Sequence, residues 1–166
     1  ATFEEAEETV VRTTLWAKRC KSEFDHATSM TSQWHGDKPY LVGVVQGGAY
    51  PELRKRSMSE LMELGFDAYG YGGWPMKDGV FDIETARLMA ETLPKNSLLY
   101  GLGIGKPDDI VKCVDLGWQI FDCVLPTRDA RHGRLYVYTD DSIERINVYG
   151  EEFYKILDSY YEQQKT

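Results

Sequence analysis

The chain has 166 residues, 42% of them hydrophobic and 28% charged, with 19 Lys+Arg against 27 Asp+Glu and a formal net charge of -8. That length suits one domain of roughly 100–200 residues, and the composition reads as that of a soluble globular protein, which excludes disorder and collagen. No apolar run approaches the ~20 residues of a membrane-spanning helix, and the acidic balance excludes indiscriminate attraction to nucleic acid or anionic membrane while allowing a local basic patch.

Cys20, Cys113 and Cys123 are odd in number and widely spaced, so neither a disulfide framework nor a Cys-x-x-Cys metal site is expected. The acidic start, Ala1 to Glu8, lacks the basic-then-apolar order of a signal peptide, and a reducing cytoplasm is the expected compartment.

In chain order, residues 3–24 read as a helix with an imperfect apolar face of Val10, Val11, Thr14, Leu15, Ala17 and Lys18, and Asp25 to Pro39 reads as a loop. Strands are expected at Leu41–Gln46, Ala68–Gly72, Leu98–Leu102 and Gln119–Val124. Between them lie three helices: from Pro51 at a first helical position to Gly65, from the N-cap Asp82 to Pro94, and from Pro107 to Gly117. Asp108 and Asp109 complement the dipole of the last of these. A further strand is expected at Arg134–Thr139 and a Tyr- and Glu-rich helix at 149–163. Repeated βα units without a dinucleotide fingerprint predict a partial (β/α)8 TIM-type barrel of parallel strands alternating with helices. A complete barrel takes about 250 residues, so the chain holds about half of one. Residues 1–140 are assigned to the partial barrel and 141–166 to a C-terminal helical segment.

Barrel active sites lie at the carboxyl ends of the strands. There Gln46 offers a donor and an acceptor suited to a base edge, with a polar strand-mouth residue as the bland alternative. The run Gly101-x-Gly103-x-Gly105-Lys106 reads as a tight strand-to-helix turn or a phosphate loop, although Pro107 stands where a P-loop has Ser or Thr. Asp122 lies among apolar Ile120, Phe121, Cys123, Val124 and Leu125; it is either salt-bridged to Arg128 or Arg131 or a catalytic carboxylate at a strand end. The segment Pro126 to Arg134 carries three arginines against one acid, a solvated charge run or a phosphate-holding island, with His132 as a turn residue.

Together these segments closely resemble the tRNA-guanine transglycosylase family in its bacterial and eukaryotic, queuine-type form. The resemblance runs from Leu15-Trp16-Ala17-Lys18-Arg19-Cys20 to about Tyr136. It is strongest in Val45-Gln46-Gly47-Gly48, in Gly65 to Gly73, in Gly103-Ile104-Gly105-Lys106-Pro107, and in Phe121-Asp122-Cys123-Val124-Leu125-Pro126-Thr127-Arg128 through Gly133. It implies exchange of guanine at the tRNA wobble position for a 7-deazaguanine such as preQ1 or queuine. It implies Asp122 as the nucleophile that forms a covalent ribosyl intermediate, as in retaining glycosidases. It further implies base contacts at Gln46, Gly73, Trp74, Leu102 and Gly103, and anticodon-loop contacts at Thr127, Arg128 and Arg131.

Gly73-Trp74-Pro75-Met76-Lys77-Asp78 departs from the Gly-Gly-Leu-x-Val-Gly-Glu of many bacterial members, with Asp78 a shorter stand-in for the glutamate. The family's acid/base aspartate and base-clamping aspartate would precede residue 1, and its zinc site would follow Thr166, so no cofactor is expected in these residues. The expected state is therefore a fragment, inert alone, joined by the rest of the barrel or by a second copy. The alternatives are a non-catalytic tRNA-binding partner subunit, a paralogue acting on another nucleic acid such as DNA, and an unrelated phosphate-binding barrel enzyme.

Overall fold

The computed structural model describes residues 1–30, 38–138 and 143–147. Its first element, α1 (Phe3–Met30), is entered through a reciprocal capping box: the Glu5 amide donates to Thr2 Oγ1 at 3.3 Å and the Thr2 amide to Glu5 Oε2 at 2.8 Å. The helix runs six residues past its expected end, so Asp25–Met30, expected in a loop, is helical. Lys21 Nζ donates to Asp25 Oδ2 at 2.5 Å and Thr28 Oγ1 to the Phe24 carbonyl at 2.7 Å, local bonds that carry the extra turn. Of the anticipated apolar face, Val10 and Thr14 are buried with Ala6, whereas Val11 and Leu15 are exposed. The i, i+4 spacing of Ala6, Val10 and Thr14 sets the buried line.

The expected βα alternation follows. β1 (Val42–Val45), α2 (Pro51–Leu64), β2 (Ala68–Tyr71), α3 (Ile83–Thr92), β5 (Leu98–Leu102), α4 (Pro107–Asp115) and β6 (Ile120–Asp122) form the body of the molecule. Between β2 and α3 lies a hairpin of two-residue strands, β3 (Met76–Lys77) and β4 (Val80–Phe81). α2 begins at Pro51 and is closed by Gly65 in the left-handed region (φ 72°). α3 is capped by Asp82, whose carboxylate accepts from the Thr85 amide at 3.1 Å.

Four of the strands form one parallel sheet in the order β1-β2-β5-β6. Strand order never reverses, so right-handed crossovers send every helix to the same face. The core agrees: Val45, Tyr69, Tyr71 and Leu99 from that face pack with Met58 and Leu61 of α2, Ala86 and Met89 of α3 and Cys113 of α4. Trp118, 2% exposed, donates its indole N–H to the Ala86 carbonyl at 3.3 Å. The other face, with Val42, Val44, Leu98, Tyr100 and Leu102 only partly buried, carries no helix of this group. The arrangement is a mixed α/β fold consistent with part of an α/β barrel.

After β6 comes an element with no counterpart among the expected helices and strands. The arginine-rich segment is a short helix, α5 (Leu125–Arg131), with Pro126 in its first turn and His132 as its C-cap. β7 (Arg134–Tyr138) occupies the expected strand and pairs antiparallel with β8 (Ile143–Asn147). The helix expected at 149–163 lies outside the described residues.

Candidate active site at the strand mouth

Because the four strands are parallel, their carboxyl ends share one rim. Gln46 follows β1, Gly72–Trp74 follow β2, Leu102–Gly103 close β5 and Asp122 closes β6. Three interstrand steps of ~4.8 Å make this rim about 14 Å long, enough to admit a nucleoside. Gln46, Gly73, Trp74, Leu102, Gly103 and Asp122 are thus neighbours along one edge, in chain order.

Leu102 and Asp122 are register partners and project to the same face, the one opposite α2, α3 and α4. Gly103 follows Leu102 in the left-handed region (φ 74°), which turns its N–H onto Asp122 Oδ1 at 3.2 Å. Tyr100, two residues earlier on that face, has its hydroxyl pushed up first by burial and then by the charge of Asp122. Asp122 itself is exposed and makes no ion pair with Arg128 or Arg131, so neither the buried environment nor the salt bridge suggested by its apolar neighbours is present. The buried acid of the region is Asp129, which lies 3.7 Å from Arg134 and accepts from the Tyr136 hydroxyl at 3.4 Å. Leu102 lies flat against β2, where a Cβ on Gly70 would come within 2.6 Å of its Cδ1.

The β1 and β2 ends are fixed from below by α2. Ser57 Oγ accepts the Gln46 amide at 3.0 Å. Arg54, one turn earlier and 1% exposed, donates through Nε to the Gly48 carbonyl at 2.9 Å and through Nη1 to the carbonyls of Val45 at 2.8 Å and Gly72 at 2.9 Å. Its guanidinium stands 4.7 Å from the centre of the Tyr71 ring. Burial pulls the guanidinium pKa down while Tyr71 and Asp82 oppose that shift. Sequence reasoning passed over Arg54, although an arginine beside Leu53 and one turn before Met58, inside a helix's apolar stripe, is the signal that marks it. Gly47 is needed here: at φ 136° it presses against α2, and a Cβ would meet the Arg54 amide nitrogen at 2.6 Å.

Trp74 is 76% exposed and Pro75 is buried, so the residues that depart from the bacterial pattern form a solvent-facing ring on a rigid base. Asp78 (φ 52°) and Gly79 (φ 79°) make the tight turn between β3 and β4, and a type I′ turn accounts for Asp78 without a role at the base. An open cavity of about 670 Å³ lies between this hairpin, the β5–α4 loop and α5, lined by Trp74, Ile104, Lys106, Lys112 and Arg128 among others. It joins Trp74, Gly103 and Arg128; Gln46 and Asp122 are not on its wall. Arg128 and Arg131, three residues apart, share one flank of α5, and the Thr127 hydroxyl is turned back to the Val124 carbonyl at 3.0 Å. The glycine run before α4 is a tight turn, closed by the Ile104 amide on the Gly101 carbonyl at 3.2 Å. Lys106 is paired with Asp108 at 3.3 Å, and both first-turn acids oppose a phosphate there.

The described residues supply no metal cluster: Cys20 is exposed on α1, Cys113 is buried in the core and Cys123 lies by the rim. They do not fit the zinc set that the resemblance implies elsewhere. Among them no helix is long and apolar enough to cross a membrane.

The fold is a mixed α/β one, a parallel sheet covered by helices on one face, with a carboxylate, a carboxamide and exposed peptide groups along its strand mouth. The family model described as Queuine tRNA-ribosyltransferase matches residues 1–164, and the chain belongs to that family. Similar proteins named Queuine tRNA-ribosyltransferase come from Thioalkalivibrio sulfidiphilus, 40% identical over 149 residues, and Pasteurella multocida, 38% identical over 147. A third, from Acinetobacter baylyi, is 37% identical over 147 residues. Each alignment covers 88% of this chain but 36% of the relative, so the chain spans little more than a third of the length of the curated relatives it matches.

Proposed function

We infer that these residues form the nucleophile-bearing part of a tRNA-guanine transglycosylase barrel, which exchanges guanine at the wobble position of tRNA for a 7-deazaguanine base. The observation that carries this reading is the exposed Asp122 carboxylate, oriented by the Gly103 amide on the same rim as Gln46 and the Gly72–Gly73 peptide. In the first half-reaction the Asp122 carboxylate bonds to C1′ as the C1′–N9 bond breaks, and the electron pair leaves with guanine. In the second, N9 of the incoming base takes C1′ back and frees Asp122. The Gln46 carboxamide reads the base edge and the Gly73 amide donates to it, while Leu102 packs against its face. The anticodon loop follows Arg128 and Arg131, with the Thr127 hydroxyl closing the first turn of the helix that presents them.

Among the described residues β1 and β6 have no outer partner strand, and an open parallel edge is a template for more strands. The remaining barrel strands, with an acid/base for the leaving and entering nitrogens, would come from further polypeptide or from a second copy. The protein as its gene encodes it should incorporate labelled guanine into tRNA, and Asp122→Asn should stop it. Undiminished incorporation by that variant would remove Asp122 as nucleophile, and salt-sensitive tRNA binding without exchange would identify a partner subunit instead.

A further inference from the structure

We propose that Arg54 is a positioning residue for base exchange, acting on the base through the Gly72–Gly73 peptide, with Ser57 as its companion under Gln46. The inference rests on the assignment of Gln46 and Gly73 to the base edge made above. Arg54 is itself buried, 1% exposed, beneath the rim. Its Nη1 bonds the Gly72 carbonyl, which belongs to the same peptide unit as the Gly73 N–H. A cation on the carbonyl end of a peptide draws electron density through it and strengthens the N–H at the other end, the cooperative effect of linked hydrogen bonds in a low-dielectric setting.

The same nitrogen bonds the Val45 carbonyl, the partner end of the Gln46 N–H, which Ser57 Oγ holds. Val45 also accepts the Gly72 amide at 2.9 Å. One guanidinium therefore ties together both strand ends that face the base. At Gly73 (φ 82°) a Cβ would lie 3.8 Å from Gln46 Oε1 and 4.0 Å from Arg54 Nη2, so the three groups stand within one small volume. Among the described residues no carboxylate forms an ion pair with Arg54, whose hydrogen bonds go to carbonyls.

The chemistry gives this arrangement a target. Guanine offers O6 and N7 as acceptors on its outer edge, and a 7-deazaguanine lacks N7, so O6 is the acceptor there that leaving and entering bases share. When the C1′–N9 bond breaks, the electron pair delocalises from N9 onto O6. A Gly73 N–H sharpened by Arg54 gains strength as that charge develops, which is the differential binding that accelerates a reaction.

The test uses the protein as its gene encodes it, with labelled guanine and tRNA, comparing wild type with Arg54→Lys and Arg54→Met, and measures the inhibition constant of 2-aminopurine, which lacks the 6-oxygen. Both variants should lose about tenfold in kcat for guanine with a smaller rise in KM, while 2-aminopurine binds within about twofold of wild type. Unchanged kcat, or equal weakening of both bases, would overturn the proposal. If neither variant keeps the wild-type thermal midpoint, Ser57→Ala decides: guanine exchange reduced at unchanged tRNA KM supports the pair, and wild-type exchange overturns it. A wild-type protein that exchanges no guanine would instead contradict the transglycosylase reading itself.

Discussion

Gly103 and Asp122 meet across the last strand pair of the sheet, the glycine N–H donating to the aspartate Oδ1 at 3.2 Å. The bond orients an exposed carboxylate, so its contribution to folding is small. Asp122→Asn keeps the accepting oxygen and should leave the thermal midpoint of the protein unchanged, with a stability difference under about 0.5 kcal/mol. Chemical denaturation of both proteins checks this, and it separates loss of the carboxylate from loss of the fold.

A second close approach is steric. A Cβ on Gly105 would lie 2.2 Å from Cys123 Cβ, so Gly105→Ala forces the β5–α4 loop away from β6. Overpacking of this kind costs about 1–3 kcal/mol. Cys123→Gly removes the atom that is struck and should recover most of that loss in the double variant, a non-additivity that a double-mutant cycle measures directly.

Two buried groups should weaken the fold at alkaline pH. Burial pushes the Cys113 thiol up from 9.0 to about 11 and the Tyr71 hydroxyl up from 10.0 to about 12, with Asp109 adding to the first and Arg54 opposing the second. Both neutral forms are favoured in the fold. Their stabilisation is complete below the unfolded values and is lost as pH rises through the folded ones, beginning above 9.0 for Cys113 and above 10.0 for Tyr71. Urea midpoints measured from pH 8 upward should fall first through the Cys113 window, and Cys113→Ala should flatten that first part. At pH 8 an alkylating reagent should modify exposed Cys20 at once and Cys113 only at the rate of unfolding.

Arg128 and Arg131 lie on one flank of α5. If they hold anticodon-loop phosphates, replacing either by Ala should weaken tRNA binding at low salt and reduce the slope of log Kd against log salt by about 0.7, the value for one single-stranded phosphate contact. A slope unchanged in both variants would place the tRNA elsewhere.

Much of the scaffold was legible in the sequence because its signals are local. Pro51 and Pro107 open helices, Gly65 closes one, and Asp82 caps another through the Thr85 amide three residues away. The short hairpin escaped notice because its strands are two residues long, although Asp78-Gly79 between them is the turn signal. Pro126 and Gly133 bracket α5 in the same manner, but seven residues carrying two arginines and one acid give a helix too short for a legible apolar stripe. Arg54 was not legible in the same sense: its acceptors lie 6, 9 and 18 residues away, on two strand ends that only the folded sheet brings together. The exposure of Asp122 was hidden for a related reason, since apolar neighbours in sequence alternate between two faces and only one of those faces is covered by helices.

The central claim is that Asp122 carries the ribosyl group. Mixing the protein, as its gene encodes it, with tRNA and stopping the reaction in denaturant should trap a covalent protein–RNA adduct, and peptide mapping should place the linkage at Asp122. Asp122→Asn should form none. An adduct on another residue, an adduct that survives the substitution, or guanine exchange that proceeds with no adduct at any time would contradict the account.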